Sequence, residues 1–416
     1  MGRSTPRSLP GRQVSLRGGG TASIRPNGQI RSINRNGMQI NRGLNGSRHI
    51  ESMHNGARVV STGRGAGYVQ RTYVVRGGHT YYSRTYYYHG AYRVGVYRGY
   101  YWHGRPYYGY YHPYWYHPGF YGWAYNPWPA PVAWGWGWGA APWYGYYGYY
   151  FTPYPVYPSA AFWLTDYLIS AELQAAYAAQ QAAAANAAAA ANSGDGGAAP
   201  YQQQQGDSQA SAQNSGQVTL TPEVKEAIAE EVKAQLAAQQ TESQQQASSG
   251  SQQPPAGGAQ TASNQEEAPP ALDPARRTFV VDSDLSVNSD GQECQLSSGD
   301  VLTRLTDAPD GDGNVNASVA ASKNKDCAAG KQVAVSVTDL QEMQNHFQEQ
   351  LDNGMKELAT KQGTGGLPKA PDTSTTSSGV PAPQPDQSAA KAVDDQQAQA
   401  DQVEAQVVKE AISQGS

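Results

Sequence analysis

Short apolar stretches separated by glycine-containing turns dominate the first hundred residues. Asn-Gly dipeptides recur in steps of 9, 9 and 10 residues, at Asn27-Gly28, Asn36-Gly37, Asn45-Gly46 and Asn55-Gly56. Asn-Gly between short apolar runs is a strong hairpin signal, because both turn residues then adopt positive φ. The runs themselves, such as 29–33 and 68–75, are rich in the β-branched and aromatic residues that favour strands. We predict an antiparallel hairpin array, or meander, over residues 21–101. A disordered Arg/Gly/Asn tract is the alternative, mainly for residues 21–60.

The pattern changes in residues 102–158, which are rich in tyrosine, tryptophan, glycine and proline. Residues 68–157 hold 26 of the 29 tyrosines and eight of the nine tryptophans. Ten prolines fall between positions 106 and 158, and central strands do not tolerate proline at that density. We predict an extended, turn-rich segment whose rings pack on one another and cover the meander. We place the interaction site of the protein in this segment.

Helical patterns begin after the aromatic segment. Residues 159–192 are predicted to form an alanine-rich helix, because alanine has the highest intrinsic helix propensity. Residues 193–270 have the composition of a Gln/Ser-rich linker. Within it, Thr221 is a predicted N-cap for a second helix over 222–240, with an apolar residue at every fourth position. That helix is predicted either to be marginal or to serve in docking or self-association.

Residues 271–361 have the pattern of a globular domain. Strands are predicted at 278–281, 300–305, 315–319 and 332–337. A helix at 339–360 carries leucine, methionine and phenylalanine on one face, so that it can close the open side of a small β-barrel. Cys294 and Cys327 lie inside this domain and are predicted to form a disulfide, with two reduced, buried thiols as the alternative.

Both ends of the chain are predicted to be disordered. Residues 1–20 are rich in arginine and glycine, and residues 362–416 are rich in proline and glutamine. Neither stretch has enough apolar surface to offset the entropy of ordering. Valines spaced through the last 25 residues allow only a weak final helix. The predicted fold class is therefore mostly β with low-complexity linkers: a hairpin array, an alanine-rich helix and a small C-terminal barrel closed by a helix.

Charge is distributed unevenly, although the net charge is only −4. Before Asp166 there are 17 arginines, no lysine and a single acid, Glu51, which gives +16. The remainder carries 13 basic and 33 acidic residues, which gives −20. Such asymmetry indicates an anionic partner for the N-terminal half. Nucleic acid, an anionic polysaccharide, lipid headgroups and the acidic half of the same chain would each satisfy it.

The sequence contains no recognisable motif for catalysis or for binding a nucleotide or metal. It has neither a Gly-x4-Gly-Lys-[Ser/Thr] phosphate loop nor a Gly-x-Ser-x-Gly nucleophile elbow. The stretch from Asp310 begins like a calcium loop, but Val315 and Ala321 occupy the positions that require glycine and glutamate. Seven of the eight histidines lie in the first 117 residues, without nearby acids or cysteines to complete a metal site. We therefore predict a non-enzymatic protein with no cofactor and no metal.

Arginine alternates with tyrosine late in the predicted meander, and tryptophan follows. A guanidinium group over an aromatic face contributes roughly 0.5–2 kcal/mol. One interpretation is internal cation–π packing of the sheet. The others are stacking of sugars on exposed rings and binding of single-stranded nucleic acid. The candidate ligand-binding residues are Arg84, Arg93, Arg98, Trp102, Arg105, Trp115, Trp123, Trp128, Trp134, Trp136, Trp138 and Trp143.

Two segments resemble known families. Residues 275–360, with the turn Leu296-Ser-Ser-Gly-Asp-Val301, resemble bacterial SH3-like domains. The passage Trp134-Gly-Trp-Gly-Trp138 is similar to stretches of uncharacterised bacterial envelope or secreted proteins. The resemblance implies an SH3-like barrel and a cell-envelope location; SH3-like domains of bacterial envelopes often bind cell-wall peptides.

These observations lead to two hypotheses about function. The first is an extracytoplasmic structural or adhesive protein, periplasmic, envelope-bound or secreted, that binds cell-wall polymer or polysaccharide or self-associates through an Arg/Tyr/Trp surface. The sequence has no run of 18 apolar residues to span a membrane and no visible signal peptide, so this hypothesis expects a gene start upstream of Met1. The alternative is a cytoplasmic nucleic-acid-binding or condensate-forming protein.

Overall fold

A computed structural model describes residues 9–63, 65–88, 90–192, 219–249 and 266–413 of the chain. These residues form antiparallel sheets of ten, six and two strands, together with six α-helices. The predicted β-rich class, with antiparallel sheets and several helices, is confirmed at this level. Residues 1–8, predicted to be disordered, and residues 193–218 and 250–265, predicted to be linkers, lie outside the described residues.

Next-neighbour pairing joins the first ten strands into one meander. They are β1 Arg12–Ser15, β2 Thr21–Ile24, β3 Ile30–Arg35, β4 Met38–Arg42, β5 Arg48–His54, β6 Ala57–Gly63, β7 Ala66–Arg76, β8 His79–Tyr88, β9 Ala91–Trp102 and β10 Arg105–Tyr111. Asn36 and Asn55 have φ of 53° and 49°, and the glycines after them also have positive φ, as type I′ turns require. The sheet begins inside the segment predicted to be disordered and ends inside the segment predicted to be irregular.

Successive side chains point to opposite sides of this sheet, which gives it two chemically different faces. One face, which we name the aliphatic face, is built from buried side chains that include Ile33, Ile40, Ile50, Val59 and Val69. The other, which we name the Arg/Tyr face, carries Arg58, Tyr68, Arg84, Tyr86 and Tyr97. Each face is covered by a different helix of the C-terminal half.

The aromatic segment combines short helices with irregular stretches, which corrects the prediction of extended coil in part, and its rings pack on one another as predicted. It contains β11 Tyr114–Tyr116, α1 Pro118–Tyr125, a 3-10 helix Trp138–Ala140 and α2 Pro142–Tyr147. Proline is the first residue of both α1 and α2, where its missing N–H costs no helical hydrogen bond. The segment packs on α3 Ala160–Asn192 and α4 Pro222–Ser249, whose buried residues include Trp163 and Leu236.

The second sheet has the strand order β12-β15-β16-β17-β13-β14. Its strands are β12 Thr278–Val280, β13 Leu285–Ser289, β14 Gln292–Leu296, β15 Val301–Arg304, β16 Asn314–Ala321 and β17 Gln332–Ser336. The β13–β14 hairpin, with positive φ at Asp290 and Gly291, was not among the predicted strands. In the described residues β12 and β14 are the edges of an open sheet, so the predicted barrel is not confirmed.

Two C-terminal helices cover the large sheet. Helix α5, Val337–Lys361, is capped by Ser336, whose Oγ accepts a hydrogen bond from the Asp339 N–H, and it lies against the Arg/Tyr face. The chain then adds β18 Thr375–Ser377 to β11 and ends in α6, Ala389–Ser413, on the aliphatic face. The tail predicted to be disordered is therefore ordered from residue 362 to 413. None of the described helices has an apolar stretch long enough to cross a membrane.

Candidate interaction surface

Arginines of the N-terminal half pair with acids of the C-terminal half, at N–O distances from 2.5 to 3.2 Å. The pairs are Arg25 and Arg31 with Glu293, Arg35 with Glu410, Arg42 with Glu404, Arg48 with Asp401, Arg71 with Asp386, Arg84 with Glu342, Arg93 with Glu349 and Arg98 with Glu267. The sequence left open four anionic partners for the basic half. The structure supplies one of them, the acidic half of the same chain.

Arg84, the first candidate ligand-binding residue, is fully buried in the Arg/Tyr face. Its Nη1 and Nη2 donate to the two oxygens of Glu342 on α5, at 2.5 and 2.8 Å. Its guanidinium lies 3.9 Å from the ring centre of Tyr97 and 4.7 Å from that of Tyr68. Burial opposes ionisation of Glu342, yet the charge of Arg84 and its hydrogen bonds lower the pKa of Glu342 to about 2. Arg84 thus has the contacts of an interior cation–π residue.

Four other candidates lie at the β9–β10 end of the large sheet. Arg93 is 42% exposed and lies over the ring of Tyr86, 4.6 Å from its centre. Arg98 lies over a neighbouring tyrosine ring in the same way. Trp102 stacks on the histidine of the β9–β10 turn, and Arg105 is exposed at the start of β10. The structure does not bring these residues together with the tryptophans that follow.

Four of the later tryptophans belong to the helical core. Trp115, Trp128 and Trp143 are buried, with 6%, 6% and 7% of their surface exposed. Trp123 stacks on Phe120 with 5.5 Å between ring centres. The three buried positions give a ligand little access to the rings, and Trp123 is half-buried against the same core, which supports the remaining three tryptophans.

Residues 133–139, which we name the Trp ribbon, run from an irregular stretch into the 3-10 helix at Trp138, and the exposure of their side chains alternates strictly. Trp134, Trp136 and Trp138 are half-buried, whereas Ala133 and the three glycines between and after them are exposed. The rings continue a stack into α3: Trp138 lies 4.3 Å from Trp136, which lies 4.6 Å from Trp163. The ribbon is therefore backed by a rigid aromatic layer and turns its glycine side outward.

A buried polar chain fixes the ribbon to the helices. The Trp136 Nε1–H donates to the Tyr157 hydroxyl at 2.6 Å, and that hydroxyl donates to Asp166 on α3 at 2.8 Å. Burial and then the Asp166 charge raise the pKa of Tyr157, so the hydroxyl remains a donor. Lys225 on α4 pairs with Asp166 at 2.7 Å and lies 3.6 Å from the ring centre of Tyr154. Sequence reasoning missed this pair, although Lys225 is the first lysine of the chain.

The outer side of the Trp ribbon is open. A Cβ atom built on Gly135, Gly137 or Gly139 would meet no heavy atom within 4 Å. In the part of the chain that the structure describes, the backbone N–H and C=O groups of 133–136 make no hydrogen bond to another backbone group. Glycines at alternate positions let a ligand approach the backbone closely. An extended polymer could therefore lie along the ribbon and hydrogen-bond to it.

The predicted disulfide between Cys294 and Cys327 is present. The Cα atoms are 5.2 Å apart, and both cysteines are buried. The bond joins β14 to the loop between β16 and β17, inside the six-stranded sheet. By the chain-entropy estimate, a link across 33 residues stabilises the folded state by about 3–4 kcal/mol.

Within the described ranges, no group of three or more histidines, cysteines, aspartates and glutamates is arranged to hold a metal ion. The buried His112–Asp352 pair, at 2.9 Å, is surrounded by aromatic and amide side chains, Trp115 and Gln239 among them. No family model, curated protein or solved structure matches this chain. The Trp ribbon is therefore assigned as the candidate surface on its geometry.

Proposed function

We propose that this chain is a non-enzymatic, extracytoplasmic adhesive protein that binds cell-wall polysaccharide along the Trp ribbon. The observation that carries the proposal is the open, glycine-lined outer side of residues 133–139 over a rigid stack of tryptophans. Polysaccharides present apolar C–H faces and hydroxyl groups at short repeats. The open glycine side offers backbone amides to the hydroxyl groups, and the half-buried indole rings behind it hold this backbone in place.

Preorganisation supports this assignment. The polar chain from Trp136 through Tyr157 to Asp166 fixes the ribbon before any ligand arrives. A fixed surface loses little conformational entropy on binding, which favours affinity for a repetitive polymer. Lys361, 5.6 Å from the ring centre of Trp134, lies at one end of the ribbon and pairs with Glu357 at 2.7 Å.

The pairing of the arginines disfavours the nucleic-acid hypothesis. Binding to a phosphate backbone needs cations that are free to replace counterions. Most of the arginines of the large sheet instead contact acids of their own chain, and Arg84 is enclosed. An acidic polysaccharide bound at the Trp ribbon would not require any of these pairs to open.

The disulfide supports an extracytoplasmic location, since such bonds persist in oxidising compartments. We also propose that residues 275–360 are an SH3-like module, as the resemblance at Leu296–Val301 implies. The antiparallel sheet of six strands and the packing of α5 on it support this proposal. The module would then position the Trp ribbon, because Ser298 donates a hydrogen bond to Glu172 on α3.

Retention of the full-length protein on insoluble cell-wall polymer tests the proposal. Gly135→Val places a side chain on the open side of the ribbon, where an added Cβ meets no heavy atom within 4 Å. We expect binding to weaken about tenfold, or about 1.4 kcal/mol, with an unchanged melting temperature. Trp138→Ala should weaken binding similarly, because it removes a ring of the stack that holds the ribbon in place.

The matched control is Gly311→Val, which adds the same side chain at another open glycine far along the chain. It should bind polymer like the unaltered protein. Equal retention of Gly135→Val and Gly311→Val would remove the ribbon from the interaction. Tight, salt-sensitive binding of single-stranded RNA, without retention on polymer, would contradict the proposed function as a whole.

A further inference from the structure

We infer that the aliphatic face of the large sheet is an exchange interface: it binds helix α6 of a second copy of this chain as well as its own α6. The inference concerns the sheet face opposite α5 and is independent of the polysaccharide proposal. It rests on three features of the contact, namely its apolar composition, its charge complementarity and the segment that connects α6 to the rest of the molecule.

The apolar contact is unequal on its two sides. The sheet contributes large side chains, including Ile33, Ile40 and Ile50, all at most 1% exposed. The helix contributes only alanine and valine, among them Ala400 and Val407. A helix of this composition is marginal by itself in water, so α6 depends on a sheet surface to remain folded. Without the helix, the aliphatic face would be a large exposed apolar patch, which is typical of a protein interface.

Arginines along the strands match acids on the helix. Arg42 pairs with Glu404 at 2.5 Å and Arg48 pairs with Asp401 at 2.6 Å. Arg35 pairs with Glu410 at 3.2 Å, six residues farther along α6 than Glu404. Opposite charges at these positions select α6 and fix its direction on the sheet. The selection depends on the sequence of the helix and not on which copy supplies it.

Gln396 fixes the register of the contact. Its side-chain nitrogen donates to the Val59 carbonyl at 2.7 Å and to Ser52 Oγ at 2.8 Å, and its oxygen accepts a hydrogen bond from Ser61. This buried amide, 3% exposed, makes the docked position specific. A second copy of the sheet presents the same three partners.

The connecting segment gives α6 the reach to exchange. Val380 is buried between Tyr81 and Val96, and α6 starts at Ala389. Between them, residues 381–385 read Pro-Ala-Pro-Gln-Pro and are exposed or half-exposed. Proline-rich segments act as extended spacers of about 3.1 Å per residue. The five residues 381–385 therefore span about 16 Å, up to Asp386, whose partly exposed pair with Arg71 must open before the helix leaves its own sheet. Exchange of an identical element is a low-cost route to dimers.

A charge-reversal complementation experiment tests the inference in the full-length chain. One variant carries Arg42→Glu and Arg48→Glu on the sheet, and the other carries Asp401→Arg and Glu404→Arg on α6. Each variant repels its own helix, but in a 1:1 mixture each helix matches the sheet of the other chain. We expect light scattering to give the mass of two chains, about 89 kDa from 44.6 kDa each, for the mixture and not for either variant alone.

A covalent readout locates the contact. Ser61→Cys is added to the sheet variant and Gln396→Cys to the helix variant, and oxidation should then yield a cross-linked two-chain product. Asp394→Cys, on the exposed side of α6, replaces Gln396→Cys as the matched control and should yield none.

A chain with all four charge changes restores the pairs within one molecule, so it should fold and run as a single chain. A mixture that stays at single-chain mass, or a two-chain species in one variant alone, would overturn the inference.

Discussion

The two faces of the ten-stranded sheet are covered by helices of the same chain, but their contacts differ in kind. On the aliphatic face the centre is apolar and the arginines lie at the margins, where Arg42 and Arg48 keep 15% and 19% of their side chains exposed. On the Arg/Tyr face the charge lies at the centre, and Arg84 is fully enclosed. The same strands therefore bind one helix through a central apolar contact and another through a central buried ion pair.

The difference predicts which contact tolerates change. An ion pair at the edge of a contact keeps access to water and contributes about 0–1 kcal/mol to the free energy of unfolding. An enclosed guanidinium that loses its carboxylate remains unpaired in a medium of low dielectric, and this costs several times more. Helix α5 should therefore be fixed permanently to its face, whereas α6 should be the replaceable cover. Two substitutions, each with a control, test this contrast.

The largest effect is expected from Glu342→Gln. The substitution keeps the size of the side chain but removes the charge that compensates Arg84 in the Arg/Tyr face. We expect the free energy of unfolding to fall by about 3–5 kcal/mol in denaturant titrations. Asp386→Gln, which breaks the 43%-exposed Arg71 pair, is the control and should cost less than about 1 kcal/mol. Equal losses in the two variants would show that the two faces do not differ as proposed.

The fold was predictable where local chemistry fixes it. The Asn-Gly turns at 36 and 55 need positive φ, and the long apolar stripe of α5 can face only a core. The covering of the sheet by α6 was not predictable, because an Ala/Val/Gln helix has a weak apolar pattern until a sheet of matching charge is present. Prolines 118 and 142 indicated breaks, yet each begins a helix, since position N1 requires no N–H.

The candidate surface was predictable in part for a similar reason. Alternation in residues 134–138 already places the tryptophans on one side and the glycines on the other. Composition cannot show whether a given arginine is buried, so Arg84 was grouped with ligand-binding residues although it contacts Glu342, 258 residues away. The Asp166–Lys225 pair was missed because its two residues come from separate helices with a long linker between them.

A smaller effect is expected from pH, through the contacts that attach α5 to α3. Burial lowers the pKa of His346, but the Glu172 carboxylate 2.7 Å away outweighs burial and raises the pKa to about 9. Because the folded-state pKa exceeds the ordinary value of 6.5, the stabilisation is complete below pH 6.5 and is lost as pH rises through about 9. We expect a loss of at most about 3 kcal/mol over this range, measured by denaturant unfolding at each pH.

His346→Gln is the variant that isolates this effect, because it cannot ionise. Its stability should be lower near neutral pH and nearly constant from pH 6.5 to 9. Asp282, which also lies near His346, has a pKa raised to about 6 by burial, so its titration falls below this window. If the stability of this variant changes with pH as steeply as that of the unaltered protein, the pH dependence comes from other groups.

The smallest effect is expected from Glu410→Gln at the end of α6. The Arg35–Glu410 pair spans 3.2 Å, and both side chains are partly exposed, so its loss should cost about 0.2–1 kcal/mol. Such pairs weaken as salt shortens the Debye length from about 10 Å at 0.1 M to about 3 Å at 1 M.

We therefore expect proteolytic cleavage within residues 381–388 to accelerate with salt in the unaltered protein and less so in Glu410→Gln. Lys391→Gln, whose pair with Asp395 lies within α6 itself, should retain the full salt response. Salt-independent cleavage in all three proteins would mean that charge does not hold this cover in place, and the contrast between the two faces would then rest on their apolar contacts.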